Sequence, residues 1–410
     1  MHEMRLTPTP LRRAATVLTA LGLAAGLQLA AGTGANSAPA DGDLRLAPAA
    51  TALDGQWIVV LKNGEVAKSD TRSVARDLAG TADVRPEHVY RTALRGFSAE
   101  MSKTEAAEVA RDPRVAYVEQ DAVVRTAETQ TNATWGLDRI DQRDLPLSTT
   151  YTYNTTAANV TAYIIDTGIR TTHSEFGGRA SVGTDTVGGG QNGQDCNGHG
   201  THVAGTVGGK TYGVAKEAKL VAVRVLNCSG SGSTAGVVAG IDWVTANATS
   251  PSVANMSLGG GASTTLDNAV KRSVAAGVTY AIAAGNGDIF GTPQNACNYS
   301  PARVPEAITV GATDNADRRA SWSNFGTCLD LFAPGVSITS GWYTSDTATN
   351  TISGTSMATP HTAGVAALYL QGNPSASPAQ VSQAIVNGST PNKVQDPRTG
   401  SPNRLLYSLF

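Results

Sequence analysis

Short apolar runs alternate with helix-like stretches through most of the chain after residue 135, and this alternation limits the possible folds. Five runs have the length and composition of buried strands: 160–165, 220–225, 253–257, 279–283 and 308–310. Helical patterns occupy 201–209, 234–246, 266–276 and 357–371. The alternation predicts an α/β fold, in which helices cover both faces of a mostly parallel sheet. Functional residues of such sheets gather at the carboxyl ends of the strands.

A smaller unit precedes this alternation and extends to about residue 127. Strand patterns occur at 56–61, 97–101 and 115–119, and helical patterns occur at 71–78 and 103–111. This content predicts a small α+β, ferredoxin-like domain. Residues 126–133 are polar and weakly patterned, which predicts an exposed linker to the main domain.

The first 40 residues have the composition of an export signal. Arg5, Arg12 and Arg13 form a positive start, an apolar run follows from 14 to 31, and small residues dominate through Ala40. A retained membrane anchor is the alternative, because the run is nearly long enough to span a bilayer. The small-residue exit favours cleavage at about residues 31–40. No later stretch approaches transmembrane length, so we expect a soluble, secreted protein without membrane contact after signal removal.

Composition and charge limit the classes of partner. Hydrophobic residues make up 41% of the chain and charged residues 16%, which allows a sizeable core and argues against disorder. The net charge of −2 gives no reason to expect nucleic acid or an anionic membrane as a partner.

Four cysteines suit an oxidising compartment: Cys196, Cys228, Cys297 and Cys328. Four cysteines permit three disulfide pairings, and the residues alone leave the choice open. No Cys-x-x-Cys motif occurs, which argues against a zinc site.

Three glycine-flanked segments carry groups suited to acyl transfer. Asp166 begins Asp-Thr-Gly directly after a predicted strand, and His199 lies in Asn-Gly-His-Gly-Thr-His at a predicted helix entrance. Ser356 lies in Gly-Thr-Ser-Met-Ala at the start of the most apolar helical pattern. A serine hydroxyl is a poor nucleophile until a base removes its proton, so the three groups together predict nucleophilic catalysis.

Each segment alone has a simpler interpretation. Asp166 could be a turn residue, and Ser356 could be an N-cap. His199 and His202 could bind a metal, but no H-E-x-x-H glutamate or obvious third ligand accompanies them. The order Asp166, His199, Ser356 also differs from that of α/β-hydrolases, in which the nucleophile precedes the acid and the histidine.

The three segments resemble the signature motifs of subtilisin-like serine proteases. Other stretches are similar to the proteinase K branch, especially to aqualysin-type enzymes: Trp-Gly-Leu-Asp-Arg-Ile from Trp135, Asn-Met-Ser-Leu-Gly-Gly from Asn255, and Ser-Pro-Asn-Arg-Leu-Leu-Tyr from Ser401. The resemblance covers residues 130–410 and implies a subtilisin-like α/β fold. It also implies a secreted serine endopeptidase that hydrolyses protein and peptide substrates.

At matching positions, the resemblance implies a catalytic triad of Asp166, His199 and Ser356, with Asn286 as the side-chain donor to the oxyanion. The peptide substrate would lie as an extra strand in the cleft. The residues implied to bind it are Gly230, Ser257, Leu258, Gly259, Ala283, Ala284 and Gly285. Of these, Ala283 to Gly285 would line the pocket for the residue before the scissile bond. Because those walls are small and uncharged, we expect broad specificity with an apolar or aromatic preference at that position.

The resemblance also implies the stabilising elements of the domain. The disulfides would be Cys196–Cys228 and Cys297–Cys328. A structural calcium ion would be bound by Asp330 and the carbonyls of Pro305 and Ala307, and a second by Asp138, Asp141 and Gln142. No organic cofactor is implied.

The front unit resembles the propeptide of this family, an intramolecular chaperone and transient inhibitor. We therefore expect a propeptide at 41–127, a peptidase domain at 128–410, and self-cleavage near Ala127 and Glu128. The mature enzyme is expected to be a monomer. Two alternatives are a catalytically inactive relative that serves as a binding module, and an esterase or lipase that uses the same three groups. The intact chemical positions argue against the first, and the chain order and propeptide argue against the second.

Overall fold

The structure of the protein is a computed structural model that describes residues 43–47, 52–123 and 127–409. The predicted export signal, residues 1–40, lies outside the described residues. Across the described ranges, no helix combines the length and the apolar character needed to cross a membrane.

The front unit is an α+β domain, as its sequence pattern predicts. Its strands are β1 (Leu44–Arg45), β2 (Ala52–Leu61), β3 (Pro86–Tyr90), β4 (Gly96–Glu100) and β5 (Val115–Ala122). Its helices are α1 (Thr71–Thr81) and α2 (Lys103–Val109). The strands form one sheet in the order β1-β5-β2-β4-β3. Alternate residues of β2 (Trp57, Val59 and Leu61) are buried in one core with apolar residues of both helices, because successive side chains of a strand point to opposite faces.

The main domain is built on a nine-stranded sheet. Its strands are β8 (Thr161–Asp166), β9 (Ala180–Asp185), β10 (Lys219–Arg224), β11 (Ser252–Met256), β13 (Thr279–Ala283), β15 (Ile308–Thr313), β16 (Leu331–Pro334), β19 (Thr390–Pro391) and β20 (Arg404–Leu405). They lie in the order β19-β20-β16-β15-β13-β11-β8-β10-β9. Neighbouring strands are parallel, except that β19 and β20 are antiparallel. The predicted, mostly parallel sheet is therefore confirmed.

Helices cover both faces of this sheet. They are α3 (Trp135–Ile140), α4 (His199–Gly208), α5 (Thr234–Asn247), α6 (Thr264–Ala275), α7 (Thr355–Gly372) and α8 (Pro378–Gly388). In β8, Ala162 and Ile164 pack in a core that includes residues of α4 and α7. Tyr163 and Ile165 pack in a second core with residues of α5 and α6. Because both faces are buried, the strand reads as a continuous apolar run rather than an alternating one.

Three short ribbons lie outside the central sheet, and one of them corrects a prediction. They pair β6 (Glu128–Thr131) with β7 (Thr150–Tyr153), β12 (Gly260–Gly261) with β14 (Tyr299–Ser300), and β17 (Ile338–Gly341) with β18 (Thr349–Ile352). A linker was expected at 126–133, but residues 128–131 form β6 and pair with β7. The Gln130 side chain is also held, since its amide donates to the Thr211 carbonyl and its oxygen accepts from the Lys216 ammonium. Polar sequence alone did not reveal this pairing, because the partner strand comes later in the chain.

The main domain contains two disulfides, each of which joins two loops. They join Cys196 to Cys228 and Cys297 to Cys328, the pairing that the resemblance implies. The paired cysteines are separated by 32 and 31 residues. In the chain-entropy account, closing loops of this length contributes about 3–4 kcal/mol each to the free energy of unfolding. The first disulfide ties the segment before α4 to the segment after β10.

Candidate active site

The topology brings the predicted catalytic residues to the carboxyl end of the sheet. Asp166 is the last residue of β8, and Asn286 follows the end of β13 by three residues. His199 is the first residue of α4, and Ser356 is the second residue of α7. Strand ends and helix beginnings meet at this edge of a parallel sheet, which is where α/β folds place their ligand sites.

Asp166 and His199 form a hydrogen-bonded pair. Nδ1–H of His199 donates to Oδ1 of Asp166 at 2.8 Å, and the Thr167 N–H donates to the same oxygen at 2.7 Å. The Asp166 side chain is fully buried, whereas a quarter of the His199 side chain is exposed. Among the described residues, His199 Nε2 makes no hydrogen bond. The imidazole is thus fixed by Asp166 on one side and keeps its second nitrogen available.

The surroundings of His199 favour its protonated form. Burial opposes protonation of the imidazole, but the Asp166 carboxylate attracts and hydrogen-bonds the protonated ring, and Asp195 adds further negative charge. The net result is a pKa of His199 above its ordinary 6.5.

Ser356 is held by the loop that follows β11. Its Oγ–H donates to the Ser257 carbonyl at 3.0 Å, and Ser257 Oγ–H donates back to the Ser356 carbonyl at 2.8 Å. The amide of Asn255 donates to Ser257 Oγ at 2.9 Å. The hydroxyl of Ser356 therefore bonds to the loop after β11 and not to His199.

Asn286 is oriented by the residue before Ser356. Its Oδ1 accepts from both the N–H and the Oγ–H of Thr355, each at 2.8 Å. A Cβ atom placed on Gly354 would lie 3.4 Å from Asn286 Nδ2 and 3.5 Å from the Ser356 backbone nitrogen. Ser356 belongs to the first turn of its helix, where N–H groups have no intrahelical acceptor. Two N–H donors thus border the same space beside Gly354.

A cleft of about 450 Å³ is lined by His199 but not by Asp166, Asn286 or Ser356. Four of the predicted substrate-binding residues line it, namely Gly230, Ser257, Leu258 and Gly259, together with His199. Three predicted residues do not line it: Ala283, Ala284 and Gly285, which connect β13 to Asn286. The cleft also has apolar walls that the sequence reasoning missed, formed by Leu226, Val237 and Leu266. Their chemistry gave no signal, because apolar residues at helical spacing usually indicate core.

Asn324 is another residue of the site region that the sequence reasoning missed. Its amide donates to the Ala284 carbonyl at 2.9 Å, and its oxygen accepts from the N–H groups of Gly287 and Gln294. Gly285 has φ +102°, and a Cβ there would lie 2.5 Å from the Asn324 amide nitrogen. Asn324 therefore fixes the turn that carries Asn286, and a side chain at 285 would displace it.

His202 has a structural environment. It is fully buried, its Nε2 is 3.0 Å from the Ile338 carbonyl, and its ring packs edge-on against Trp342. Burial lowers the pKa of His202 to about 4. A metal site shared with His199 therefore has no support, and within the described residues no cluster of three or more acidic, His or Cys side chains could hold a metal ion.

Two carboxylates expected to bind calcium, those of Asp330 and Asp141, are partly buried and accept few hydrogen bonds. Asp330 accepts one hydrogen bond, from the Thr309 N–H at 2.7 Å, and burial raises its pKa to about 6. Asp141 has one buried oxygen without a partner, and burial together with nearby Asp138 raises its pKa to about 6. The chemistry of both carboxylates suits a hard cation, which prefers oxygen ligands.

The other two residues of the second calcium set are already engaged. Asp138 accepts from the N–H and Oγ–H of Ser148 and from the N–H of Thr149. The Gln142 amide donates to the carbonyls of Asp144 and Pro146. Of this second set, Asp141 therefore fits a cation best.

Comparison with known proteins agrees with this geometry. The model of the subtilase family matches residues 157–404, and that of peptidase inhibitor I9 matches residues 56–127. An extracellular serine proteinase from Thermus sp. (strain Rt41A) is 59% identical over 331 residues, which cover 81% of this chain and 80% of that protein. Alkaline serine exoprotease A from Vibrio alginolyticus is 52% identical over 380 residues, covering 89% of this chain and 70% of that protein.

A solved structure gives the same result. The crystal structure of a cold adapted subtilisin-like serine proteinase has a TM-score of 0.66 and 57% sequence identity to this chain, covering 68% of this chain and all of that one. A sequence identity of 57% is high enough to indicate a shared family as well as a shared fold. The chain belongs to the subtilase family, and it is a serine endopeptidase with a subtilisin-like α/β domain and a propeptide of the inhibitor I9 type.

Proposed function

We propose that Asp166, His199 and Ser356 are the catalytic triad of this endopeptidase and that Asn286 stabilises the oxyanion. The observation that carries the proposal is the 2.8 Å Asp166–His199 hydrogen bond at the sheet edge where Ser356 lies in the first turn of a helix. Chain order, burial and free Nε2 all suit a base that is oriented by a carboxylate.

The first chemical step requires a small movement of Ser356. Its Oγ turns from the Ser257 carbonyl toward His199 Nε2 and attacks the carbonyl carbon of the substrate. The Oγ proton passes to Nε2, and the Asp166 carboxylate stabilises the imidazolium that forms. The electron pair of the substrate C=O moves to its oxygen, where Asn286 Nδ2 and the Ser356 N–H donate hydrogen bonds.

Collapse of this intermediate breaks the peptide bond. The leaving amine takes the proton from His199 Nε2, and the acyl group stays on Ser356 Oγ. Water then attacks the ester, His199 takes one of its protons, and the acid product leaves with Ser356 Oγ–H restored.

The nucleophile is tested by Ser356→Ala, which removes the attacking oxygen and little else. We expect casein hydrolysis to fall below detection and the propeptide to stay attached, because the first cut is self-cleavage. N-terminal sequencing of the active parent enzyme should begin near residue 128. A Ser356→Ala enzyme that still hydrolyses casein would contradict the proposal, and a mature start near residue 41 would contradict the cleavage site.

The base gives a second prediction, on pH. His199 must be neutral to accept the Ser356 proton, and its pKa is raised above 6.5. kcat/KM for a peptide anilide should therefore fall as the pH drops through a value above 6.5. An acid limb at or below the ordinary imidazole pKa would contradict the assignment.

For substrate binding, we propose that the peptide lies as an added strand between Gly230 and the 257–259 segment, held by main-chain hydrogen bonds. The cleft that contains these residues, with Leu226, Val237 and Leu266 in its wall, supports an apolar side chain there. Ala283, Ala284 and Gly285 are proposed to form the wall for the residue before the scissile bond. They carry no charge, which supports a broad apolar preference.

Specificity is tested with peptide anilides that differ only in the last residue. Those ending in Phe or Leu should have a higher kcat/KM than the one ending in Arg, because the proposed wall offers no carboxylate partner. A dominant preference for Arg would contradict the proposal. Casein, assayed in parallel, controls for the amount of active enzyme.

We also propose that a structural calcium ion binds Asp330 with the carbonyls of Pro305 and Ala307. The ion would neutralise a carboxylate whose pKa burial raises to about 6, and would cross-link the segments before and after β15. Asp138, Asp141 and Gln142 are proposed as a second and weaker site, supported mainly by the unpartnered oxygen of Asp141.

Calcium is tested by thermal unfolding of the enzyme blocked by a serine-directed inhibitor. A chelator should lower Tm by about 5–10 °C. When the calcium concentration is far above the Kd, the bound ion adds a few kcal/mol to the free energy of unfolding, and the chelator removes this contribution. Asp330→Asn should lower Tm similarly and remove most of the chelator effect. Asp396→Asn, a change at an exposed carboxylate, is the matched control. An unchanged Tm on chelation would exclude structural calcium.

We also propose how the chain is exported and matured. Residues 1–40 are proposed as the export signal, 41–127 as the inhibitory propeptide and 128–410 as a monomeric, secreted enzyme. A relative named as extracellular supports secretion, and the I9 match at 56–127 supports the propeptide.

A further inference from the structure

A second buried carboxylate lies beside the proposed triad, and the mechanism above gives it no role. Asp195 is 8% exposed and forms no ion pair with Lys or Arg in the part of the chain that the structure describes. Burying an unpaired anion is unfavourable, so its hydrogen-bond partners determine whether it is tolerated.

Both oxygens of Asp195 are fully engaged by groups around the start of α4. Oδ1 accepts from the N–H groups of Asn197 and Gly198 and from the Thr167 hydroxyl, each at 2.9 Å. Oδ2 accepts from the N–H of Thr201 at 2.9 Å and from its hydroxyl at 2.6 Å. Charge-assisted hydrogen bonds of this kind are about twice as strong as neutral ones.

These contacts connect the two elements that carry Asp166 and His199. Thr167 directly follows Asp166, and its Oγ also accepts from the Gly200 N–H at 2.9 Å. Asn197, Gly198 and Thr201 flank His199 on both sides. Asp195 thus holds the end of β8 and the first turn of α4 together through a single carboxylate.

We infer that Asp195 is a positioning residue, which fixes His199 in line with Asp166 and adds negative charge that stabilises the imidazolium. The inference rests on the proposed triad. Two carboxylates act on the His199 ring, Asp166 at the end of β8 and Asp195 before α4. The other titratable group nearby is His202 within α4, whose own pKa is lowered in part by His199. After burial and Asp166, Asp195 is the next contribution to the pKa of His199, and it raises that pKa.

The test is Asp195→Asn, which keeps the shape but removes the charge and turns an N–H₂ group toward one set of donors. We expect kcat to fall about 10- to 100-fold with KM within about twofold, because small misplacement of a catalytic group costs about this much. The acid limb of kcat/KM should move to lower pH, since a negative charge near His199 is lost.

Two further variants separate geometry, charge and general loosening. Thr167→Val removes one link but keeps the Asp195 charge, so kcat should fall while the acid limb stays in place. Asp185→Asn is the matched control. Asp185 accepts from the N–H groups of Val187, Gly188 and Gly193 and pairs with Arg224, so it also ties a loop together. Among the described residues it makes no hydrogen bond to Thr167 or to the first turn of α4. Its replacement should leave the acid limb unchanged and kcat near that of the parent.

The kcat values and acid limbs of these variants either support or overturn the role inferred for Asp195. An Asp195→Asn enzyme with the parent's kcat and acid limb overturns the inference, as does an equal loss in Asp185→Asn. If Asp195→Asn does not accumulate as folded enzyme, Thr167→Val decides: a lower kcat supports the inference and an unchanged kcat overturns it. Failure of the triad itself is separate, because it would appear as activity retained by Ser356→Ala.

Discussion

The buried carboxylate of Asp166 is the constraint on which the arrangement of the site depends. It is fully shielded from water, pairs with no Lys or Arg among the described residues, and leaves Oδ2 without a hydrogen-bond partner. Leaving a buried acceptor without its hydrogen-bond partner costs about 1–3 kcal/mol, and more when the acceptor is charged. His199 must therefore stay in place for stability as well as for its proposed role, and the loop that carries it is anchored by Asp195 and the Cys196–Cys228 disulfide.

Ser356 depends on a different kind of constraint, the packing of α7. Most residues of this helix are buried, and it packs against α4 and the central strands in one core. A Cβ on Gly364 would lie 2.5 Å from Val214 Cβ, so glycine there permits close approach of the helix to its neighbour. Because protein interiors are close-packed, a helix held this tightly leaves the backbone of its first turn little room to move. The hydroxyl can then turn about its own side-chain bond without the helix moving.

Sequence periodicity predicted the main elements because their cause is local burial. The strand at 279–283 was predicted with its observed bounds, and His199 and Ser356 were correctly placed at helix beginnings. Periodicity could not predict β9, where most positions are partly exposed, or β6, whose partner lies later in the chain. Asp195 and Asn324 were missed for a related reason. Their importance lies in hydrogen bonds to specific backbone groups, and no local pattern encodes which loops will meet.

The electrostatics of the helix beginnings explain why two carboxylates surround one histidine. The first turn of a helix carries partial positive charge, which disfavours an imidazolium there and favours a developing oxyanion. His199 begins α4, so the helix and burial both oppose its protonation. Ser356 lies in the first turn of α7, where the same effect would assist the proposed stabilisation of the oxyanion. An anion on each side of the α4 start offsets this penalty: Asp166 contacts the ring, and Asp195 binds N–H groups on either side of His199. These two carboxylates determine the direction of the net shift, and the pKa of His199 is accordingly raised.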